Sequence, residues 1–162
     1  MVAPVSVPFW PYQAFFVYIE PLGALLGAVL AGFRPDDYLH DLLEPFVMAD
    51  TTKTSTSAYA ATAMLANLWL FFAVNEYLVL SGTRELKMWR RMITGLLVAD
   101  CGHFVALGVY AGSEFFWQFW RWNALTYGHI AFAEVAAVMR VCFILGVGID
   151  SKRNGRQNLK AA

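Results

Sequence analysis

The amino-acid sequence predicts an all-α protein, a bundle of four transmembrane helices with a short amphipathic helix in the first connection. The first observation is composition: 59% of the 162 residues are hydrophobic and only 15% are charged. Soluble domains have about 45–50% apolar and about 25% charged residues. The second observation is four long apolar stretches, each able to cross ~30 Å of hydrocarbon as a helix. The third is that basic residues are concentrated on one side of the predicted bundle. The zero net charge argues against nucleic acid as a partner.

The first apolar stretch covers residues 12–32 and contains Glu20-Pro21. A kink is expected there, because proline removes a backbone hydrogen bond. A first small-residue seam then follows at four-residue spacing: Gly23, Gly27 and Ala31. Such seams allow close approach of a second helix. Glu20 shares this face of the helix, so its side chain should point into the bundle.

The remaining chain supplies one surface helix and three further spans, within a single membrane domain over residues 1–149. Residues 34–45, RPDDYLHDLLEP, have Pro and Asp at a helix start and leucines on one side. The further spans are predicted at 58–80, 92–111 and 124–148. Residues 150–162 are polar and basic, which is typical of a disordered tail.

The third span carries Asp100 near its middle, with His103 one turn further on. A carboxylate at that depth costs about 2.5–3.5 kcal/mol, so a partner or a function must offset it. Either a structural hydrogen bond or a proton-handling or ligand-binding site would do so. A second small-residue seam lies on another face of the same span: Gly95, Ala99, Gly102 and Ala106.

The basic residues predict the orientation of the bundle. Four spans put both termini on one side, and that side carries eight basic residues: Arg84, Lys87, Arg90, Arg91, Lys152, Arg153, Arg156 and Lys160. The other side carries three: Arg34, Lys53 and Arg121. The positive-inside rule therefore places both termini in the cytoplasm, and we expect an endoplasmic reticulum location.

Each span supplies one carboxylate, and the four are Glu20, Glu76, Asp100 and Glu134. Glu20, Asp100 and Arg140 each lie eight residues from the same end of their spans. This common depth predicts one side-chain network. A single arginine cannot pair four carboxylates, so some are protonated or reached by water. The excess of acids indicates a site for general acid–base chemistry, whereas the simpler interpretation is a polar network that only stabilises the bundle.

The predicted catalytic residues are therefore Glu20, Glu76, Asp100 and His103. Binding of a substrate or cationic intermediate is assigned to Asn75, Trp69, Tyr18, Glu134 and Arg140, since aromatic faces attract cations. His129 is expected near the membrane interface. The aromatic residues between 115 and 122 are expected to form an interfacial belt that roofs the bundle. No cofactor is expected, and no metal site, because no HxxxH or ExxH pair accompanies Asp100 and His103.

Several motifs carry a resemblance to a known family: IEP at 19–21, NE at 75–76, ADxGH at 99–103 and RWN at 121–123. From about residue 9 to 148 the chain resembles small four-helix integral membrane proteins of filamentous fungi grouped as a domain of unknown function. That resemblance implies a fold and a fungal source, and no established activity. The chain is more loosely similar to the membrane domain of emopamil-binding sterol isomerases and sigma-2-receptor relatives, which also carry intramembrane carboxylates.

Three functional hypotheses follow. The first is binding, isomerisation or cyclisation of a lipophilic metabolite, terpenoid or sterol-like, in fungal secondary metabolism. The second is a non-catalytic scaffold or assembly subunit, or a homo-oligomer, joined through the Gly/Ala seams. The third is a proton or cation pathway, which is less supported because paired glycines do not break any span.

Overall fold

A computed structural model describes residues 10–43 and 54–149 and confirms the all-α, four-span architecture. The four helices long and apolar enough to cross a membrane are α1 (Trp10–Phe33), α3 (Thr56–Gly82), α4 (Leu86–Ala111) and α6 (Ala124–Ile144). The shorter helix α2 (Pro35–Leu43) lies in the connection between α1 and α3, and α5 (Glu114–Trp117) follows α4. The described residues contain no strand. We call the end of the bundle that carries α2 and α5 the α2 end.

The helices do not stop where the apolar stretches stop. Helix α4 begins at Leu86 instead of residue 92, and its first turns include Lys87, Arg90 and Arg91. A helix can carry charged residues where it extends beyond the hydrocarbon layer. Hydropathy therefore indicates which part of the helix lies in the membrane, and it does not indicate where the helix begins or ends. Helix α6 ends at Ile144, and the left-handed glycines Gly146 and Gly148 follow with φ of 80° and 71°. The predicted tail, 150–162, lies outside the described residues.

A kink was predicted at Pro21, and the structure has a π-helical segment, Phe15–Ile19, just before this residue inside α1. The N–H of Glu20 bonds to the carbonyl of Phe15, five residues earlier. Pro21 has no N–H to donate, and its ring would clash with the carbonyl four residues before it. The wider π turn keeps the helix continuous through this position. Glu20 then begins the second half of α1 with its side chain buried.

Helices α1 and α6 and helices α1 and α3 approach closely through the first small-residue seam. A Cβ placed on Gly23 would lie 2.7 Å from Cζ of Phe132 on α6. A Cβ on Gly27 would overlap the ring of Trp69 on α3. Both glycines are therefore needed for the close packing that the spacing predicted.

The hydrophobic core is largest at the end of the bundle opposite α2. Tyr12, Phe16, Trp89 and Phe143 pack together there, with the Tyr12 and Phe143 rings 5.1 Å apart edge to face. The Tyr12 hydroxyl donates to the carbonyl of Val147 at 2.8 Å. The start of α1, the start of α4 and the end of α6 are thereby held together.

Helix α2 is tethered across the other end of the bundle. The Tyr59 hydroxyl donates to Asp36 at 2.5 Å, and the Asn123 amide donates to the carbonyl of Asp41 at 2.7 Å. Tyr38 is buried beneath the helix, with its ring 5.8 Å from that of Trp69. Burial raises the pKa of the Tyr38 phenol, so it stays neutral over the physiological range.

The aromatic segment after α4 is half inside and half outside the bundle. Phe115 is fully buried beside Leu107 and Ile130, and its carbonyl accepts a hydrogen bond from the Trp122 indole at 2.8 Å. Trp117 and Trp120 point outward. The segment therefore covers part of the α2 end and presents two tryptophans to the surroundings.

Candidate functional site

Arg140 lies at the centre of the polar interior. Its side chain comes from α6 and is only 4% exposed. One guanidinium nitrogen, Nη2, donates to Oε1 of Glu20 on α1, and the other, Nη1, donates to Oδ2 of Asp100 on α4. The network predicted from the common depth of these three residues is present, and it ties three spans together.

This network is electrostatically strong and incompletely hydrogen-bonded. The guanidinium fork reaches two carboxylates at once because its nitrogens point in fixed, divergent directions. The low dielectric of the interior strengthens both ion pairs, but it also raises the cost of removing the charges from water. Three buried atoms of the polar interior have no hydrogen-bond partner among the described residues: Glu20 Oε2, Glu76 Oε1 and Arg140 Nε.

Glu76 is the third carboxylate of the site. It projects from α3 and is 2% exposed. Within residues 10–43 and 54–149 it has no hydrogen-bond or ion-pair partner, and it lies close enough to Asp100 for electrostatic repulsion. Glu76 lies near Asp100, which is paired with Arg140, so three carboxylates and one guanidinium share this part of the interior, with a net charge of −2 when all four groups are ionised.

A separate cluster of aromatic rings and imidazoles lies towards the α2 end. The His103 and His129 rings are 5.0 Å apart, and the Trp69 ring is 5.0 Å from His129. Tyr38 adds a ring 6.2 Å from His129. We call these four residues the histidine–aromatic cluster. It draws its members from α2, α3, α4 and α6.

The two histidines of the spans meet in this cluster. His103, predicted to be catalytic with Asp100, has no hydrogen bond to Asp100 or Arg140 in the described structure and contacts aromatic rings. His129, predicted near the membrane interface, lies towards the α2 end and packs between Trp69 and His103. It falls in the π segment Tyr127–Ala131.

The remaining predicted binding residues are dispersed. Trp69 covers Gly27 and contacts the histidine–aromatic cluster. Asn75 and Glu134 are half-buried, and neither has a hydrogen-bond or ion-pair partner in the described part of the chain. Tyr18 is 64% exposed and lies on the outer surface of the bundle, away from Arg140.

Tyr18 instead belongs to a surface groove between α1 and α3, with a volume of about 420 Å³. Eight residues line it: Val17, Tyr18, Pro21, Leu22, Leu25, Ala73, Val74 and Tyr77. The lining is almost entirely apolar. We call this feature the α1–α3 groove.

The fold and site define a multi-pass membrane protein with a buried arginine–carboxylate network. Residues 5–150 match the model of a family described as a domain of unknown function (DUF7704), and the chain belongs to that family. Comparison with curated proteins and with solved structures gives no match. Membership of a family of unknown function agrees with the resemblance found in the motifs, whereas the fungal source and the likeness to sterol isomerases stay predictions.

Proposed function

We propose that this membrane protein binds a lipophilic metabolite, terpenoid or sterol-like, and isomerises or cyclises it by acid–base chemistry. The observation that carries the proposal is the excess of buried acids: among the described residues, Glu20 and Asp100 are paired with Arg140, and Glu76 lies near Asp100 without a cation of its own. A net charge of −2 is unfavourable inside a membrane, so at least one carboxylate is expected to hold a proton. A protonated acid beside an ionised one is the arrangement that general acid–base catalysis requires.

The contacts suggest how the roles divide. Arg140 donates to Glu20 and Asp100 and orients both, whereas Glu76 has no cation of its own among the described residues. Glu76 would give a proton to an alkene carbon of the ligand, which leaves a carbocation. Asp100 would then remove a proton from a neighbouring carbon, and the double bond would have moved. Transfer of that proton from Asp100 back to Glu76 restores the site, so the isomerisation needs no co-reactant.

The histidine–aromatic cluster supports the same proposal. Trp69 lies seven positions before Glu76 on α3, close to two helical turns, so both side chains lie on one face of the helix. The seven residues correspond to about 10 Å along the helix, so Trp69 would stabilise, by about 0.5–2 kcal/mol, a cation on a part of the ligand that extends towards the α2 end. His103 lies one turn beyond Asp100 and would serve as an alternative proton acceptor. In this proposal the protein resides in the endoplasmic reticulum membrane of a fungal cell, with cytoplasmic termini.

The test compares lipid-soluble metabolites of a deletion strain complemented with the wild-type protein or with variants. Asp100→Asn keeps the shape and an oxygen that accepts from Arg140, but removes the ionisable proton. Glu76→Gln likewise keeps the shape of the side chain and removes the ionisable proton. We expect a metabolite that accumulates on deletion to fall again with the wild type and to stay high with both variants. Thermal stability in detergent should change by less than ~1–2 kcal/mol.

The matched control is Asp37→Asn, because Asp37 is an exposed carboxylate paired with Arg34 at 2.5 Å at the α2 end. This variant should complement fully. Full complementation by Asp100→Asn and Glu76→Gln, or an unchanged metabolite profile on deletion, would refute the enzymatic proposal. If the two variants fail to complement, conversion of the accumulated metabolite by the purified protein identifies the reaction.

A non-catalytic scaffold is the alternative, and one observation favours it. All four residues of the second small-residue seam are on the exposed surface of α4: Gly95, Ala99, Gly102 and Ala106. No described atom beyond the neighbouring backbone lies within 4 Å of a Cβ placed on Gly95 or Gly102. The first seam is used inside the chain, whereas the second is open to a helix of another protein.

A further inference from the structure

A basic surface lies at the start of α4, at the end of the bundle opposite α2. Four exposed basic residues form it: Arg84 in the loop before the helix, and Lys87, Arg90 and Arg91 in its first turns. At about 100° per residue, the three helical residues fall within an arc of about 100°. They therefore share one side of the helix. We call these four residues the basic face.

The basic face points away from the protein because the other side of α4 is packed. Trp89 and Ile93 are buried, and each lies two residues from Arg91, which places it about 160° around the helix. The Trp89 indole donates to the carbonyl of Thr83 at 2.9 Å, and the N–H of Glu85 donates to the Thr83 hydroxyl at 3.1 Å. These bonds hold the loop against the helix, so the basic face has a fixed orientation.

The basic face has no counter-charge from the protein. Its side chains form no ion pair or hydrogen bond with any residue in the described ranges 10–43 and 54–149. Lys87 lies three residues before Arg90 and four before Arg91, spacings at which like charges repel on a helix. Lys87 is also in the first turn, which contains no acidic residue and lies at the positive end of the helix dipole. An anion from outside the protein would relieve this repulsion.

The depth of the basic face indicates where that anion comes from. The apolar stretch of α4 begins at residue 92, directly after Arg91. From Lys87 to Arg91 the helix advances about 6 Å, at ~1.5 Å per residue. The headgroup layer on each side of a bilayer is about 5–8 Å thick, half the difference between ~40–45 Å and ~30 Å. The basic face therefore lies within the phosphate layer of the membrane, and a soluble protein would dock above this layer.

We propose that the basic face binds the headgroup of an anionic phospholipid that carries a phosphomonoester, in the leaflet at this end of the bundle. Clusters of Lys and Arg next to a membrane span attract anionic headgroups. A guanidinium donates two parallel hydrogen bonds to a phosphate, and a phosphomonoester offers more charge and more acceptor oxygens than a phosphodiester. The surface is separate from the carboxylate network, so this inference does not depend on the proposed chemistry.

The experiment measures lipid binding to the full-length protein by native mass spectrometry after release from detergent micelles. Three lipids with the same dioleoyl chains are titrated: phosphatidic acid, phosphatidylserine and phosphatidylcholine. We expect phosphatidic acid to bind about tenfold or more tightly than phosphatidylcholine, with phosphatidylserine between them. The preference should shrink as the ionic strength is raised, because salt screens exposed charges.

The decisive variant replaces Lys87, Arg90 and Arg91 by Gln together. It should weaken the binding of phosphatidic acid about tenfold or more and leave phosphatidylcholine unaffected. Thermal unfolding in detergent should be unchanged, because all three side chains are exposed. If this variant does not fold, Arg91→Gln alone must still weaken the binding of phosphatidic acid. The charge-preserving variant with Lys87→Arg, Arg90→Lys and Arg91→Lys should keep most of the affinity.

The matched control removes the same charge from the C-terminal tail, with Lys152→Gln, Arg153→Gln and Arg156→Gln. It should bind phosphatidic acid like the wild type. An equal loss with this tail variant would show general attraction to the charge of the protein and would overturn the inference. Equal affinity for the three lipids would do the same, as would binding of soluble glycerol phosphate as tight as that of phosphatidic acid.

Discussion

Arg140 binds two carboxylates from two other helices, so its removal has a larger effect than the loss of one contact. Arg140→Met keeps a long apolar side chain but leaves Glu20 and Asp100 buried without a cation. We expect a loss of about 3–5 kcal/mol, because breaking a buried ion pair from one side strands its charge. Unfolding of the purified protein in detergent measures this change.

The control for Arg140→Met removes the acids together with the cation. Glu20→Gln and Asp100→Asn combined with Arg140→Met leave no buried charge in the network, so much of the lost stability should return. If the single Arg140→Met variant is as stable as the wild type, water already solvates the charges of the network. The ion pairs would then contribute little to the fold.

The sequence predicts the Glu20–Asp100–Arg140 network because the depth of a residue in the membrane can be counted in residues from the end of its span. Glu20 and Asp100 lie on two spans that run in one direction, Arg140 lies at the same depth on a span that runs in the other, and the structure joins the three. The same count cannot give rotation about the helix axis relative to a neighbour. His103 turns towards His129, and Tyr18 turns outward to the groove, although both lie near residues that face the network.

At the scale of whole helices, the two small-residue seams have different roles. The first packs α1 against Trp69 and Phe132, whereas the second is exposed on α4. Gly27→Ala should destabilise the protein by about 1–3 kcal/mol, because the new methyl group overlaps the Trp69 ring. Gly102→Ala should change stability by less than ~1 kcal/mol and favourably, since alanine is the better helix former. Thermal unfolding of both variants in detergent gives the comparison.

Equal effects of the two substitutions would contradict this division of roles. A Gly102→Ala variant that is stable yet fails to complement the deletion strain would favour the scaffold alternative, because the exposed seam would then be needed for a partner. Sequence spacing identifies both seams equally well. Only packing distinguishes them, since spacing does not say which face meets another helix of the same chain.

The helix boundaries and π segments show a second limit at this scale. Hydropathy located all four spans, but α4 begins six residues before its apolar stretch, at Leu86 instead of 92. The π segment Phe15–Ile19 is explained by Pro21. The segment Tyr127–Ala131 contains no proline, and no local sequence signal predicts it.

For the molecule as a whole, the fold fixes which residues share a side of the membrane but not which side faces the cytoplasm. The connection between α3 and α4 and the chain beyond α6 lie at one end, and α2 and α5 lie at the other. The described part of the α2 end carries Asp36, Asp37 and Asp41 on a single short helix. The opposite end carries Arg84, Lys87, Arg90 and Arg91. The charge difference between the two ends is the basis for the proposed orientation.

Both termini are therefore expected in the cytoplasm, because short loops rich in Lys and Arg resist translocation. An Asn-x-Ser/Thr acceptor site inserted between residues 44 and 53 should be glycosylated in microsomes, since that connection would face the lumen. The same site added after Lys160 should remain unmodified. Removal of the sugar by endoglycosidase confirms that a mobility shift reports glycosylation. Modification of the terminal site together with an unmodified connection would reverse the orientation, and the Glu20–Asp100–Arg140 network would then lie nearer the lumenal face.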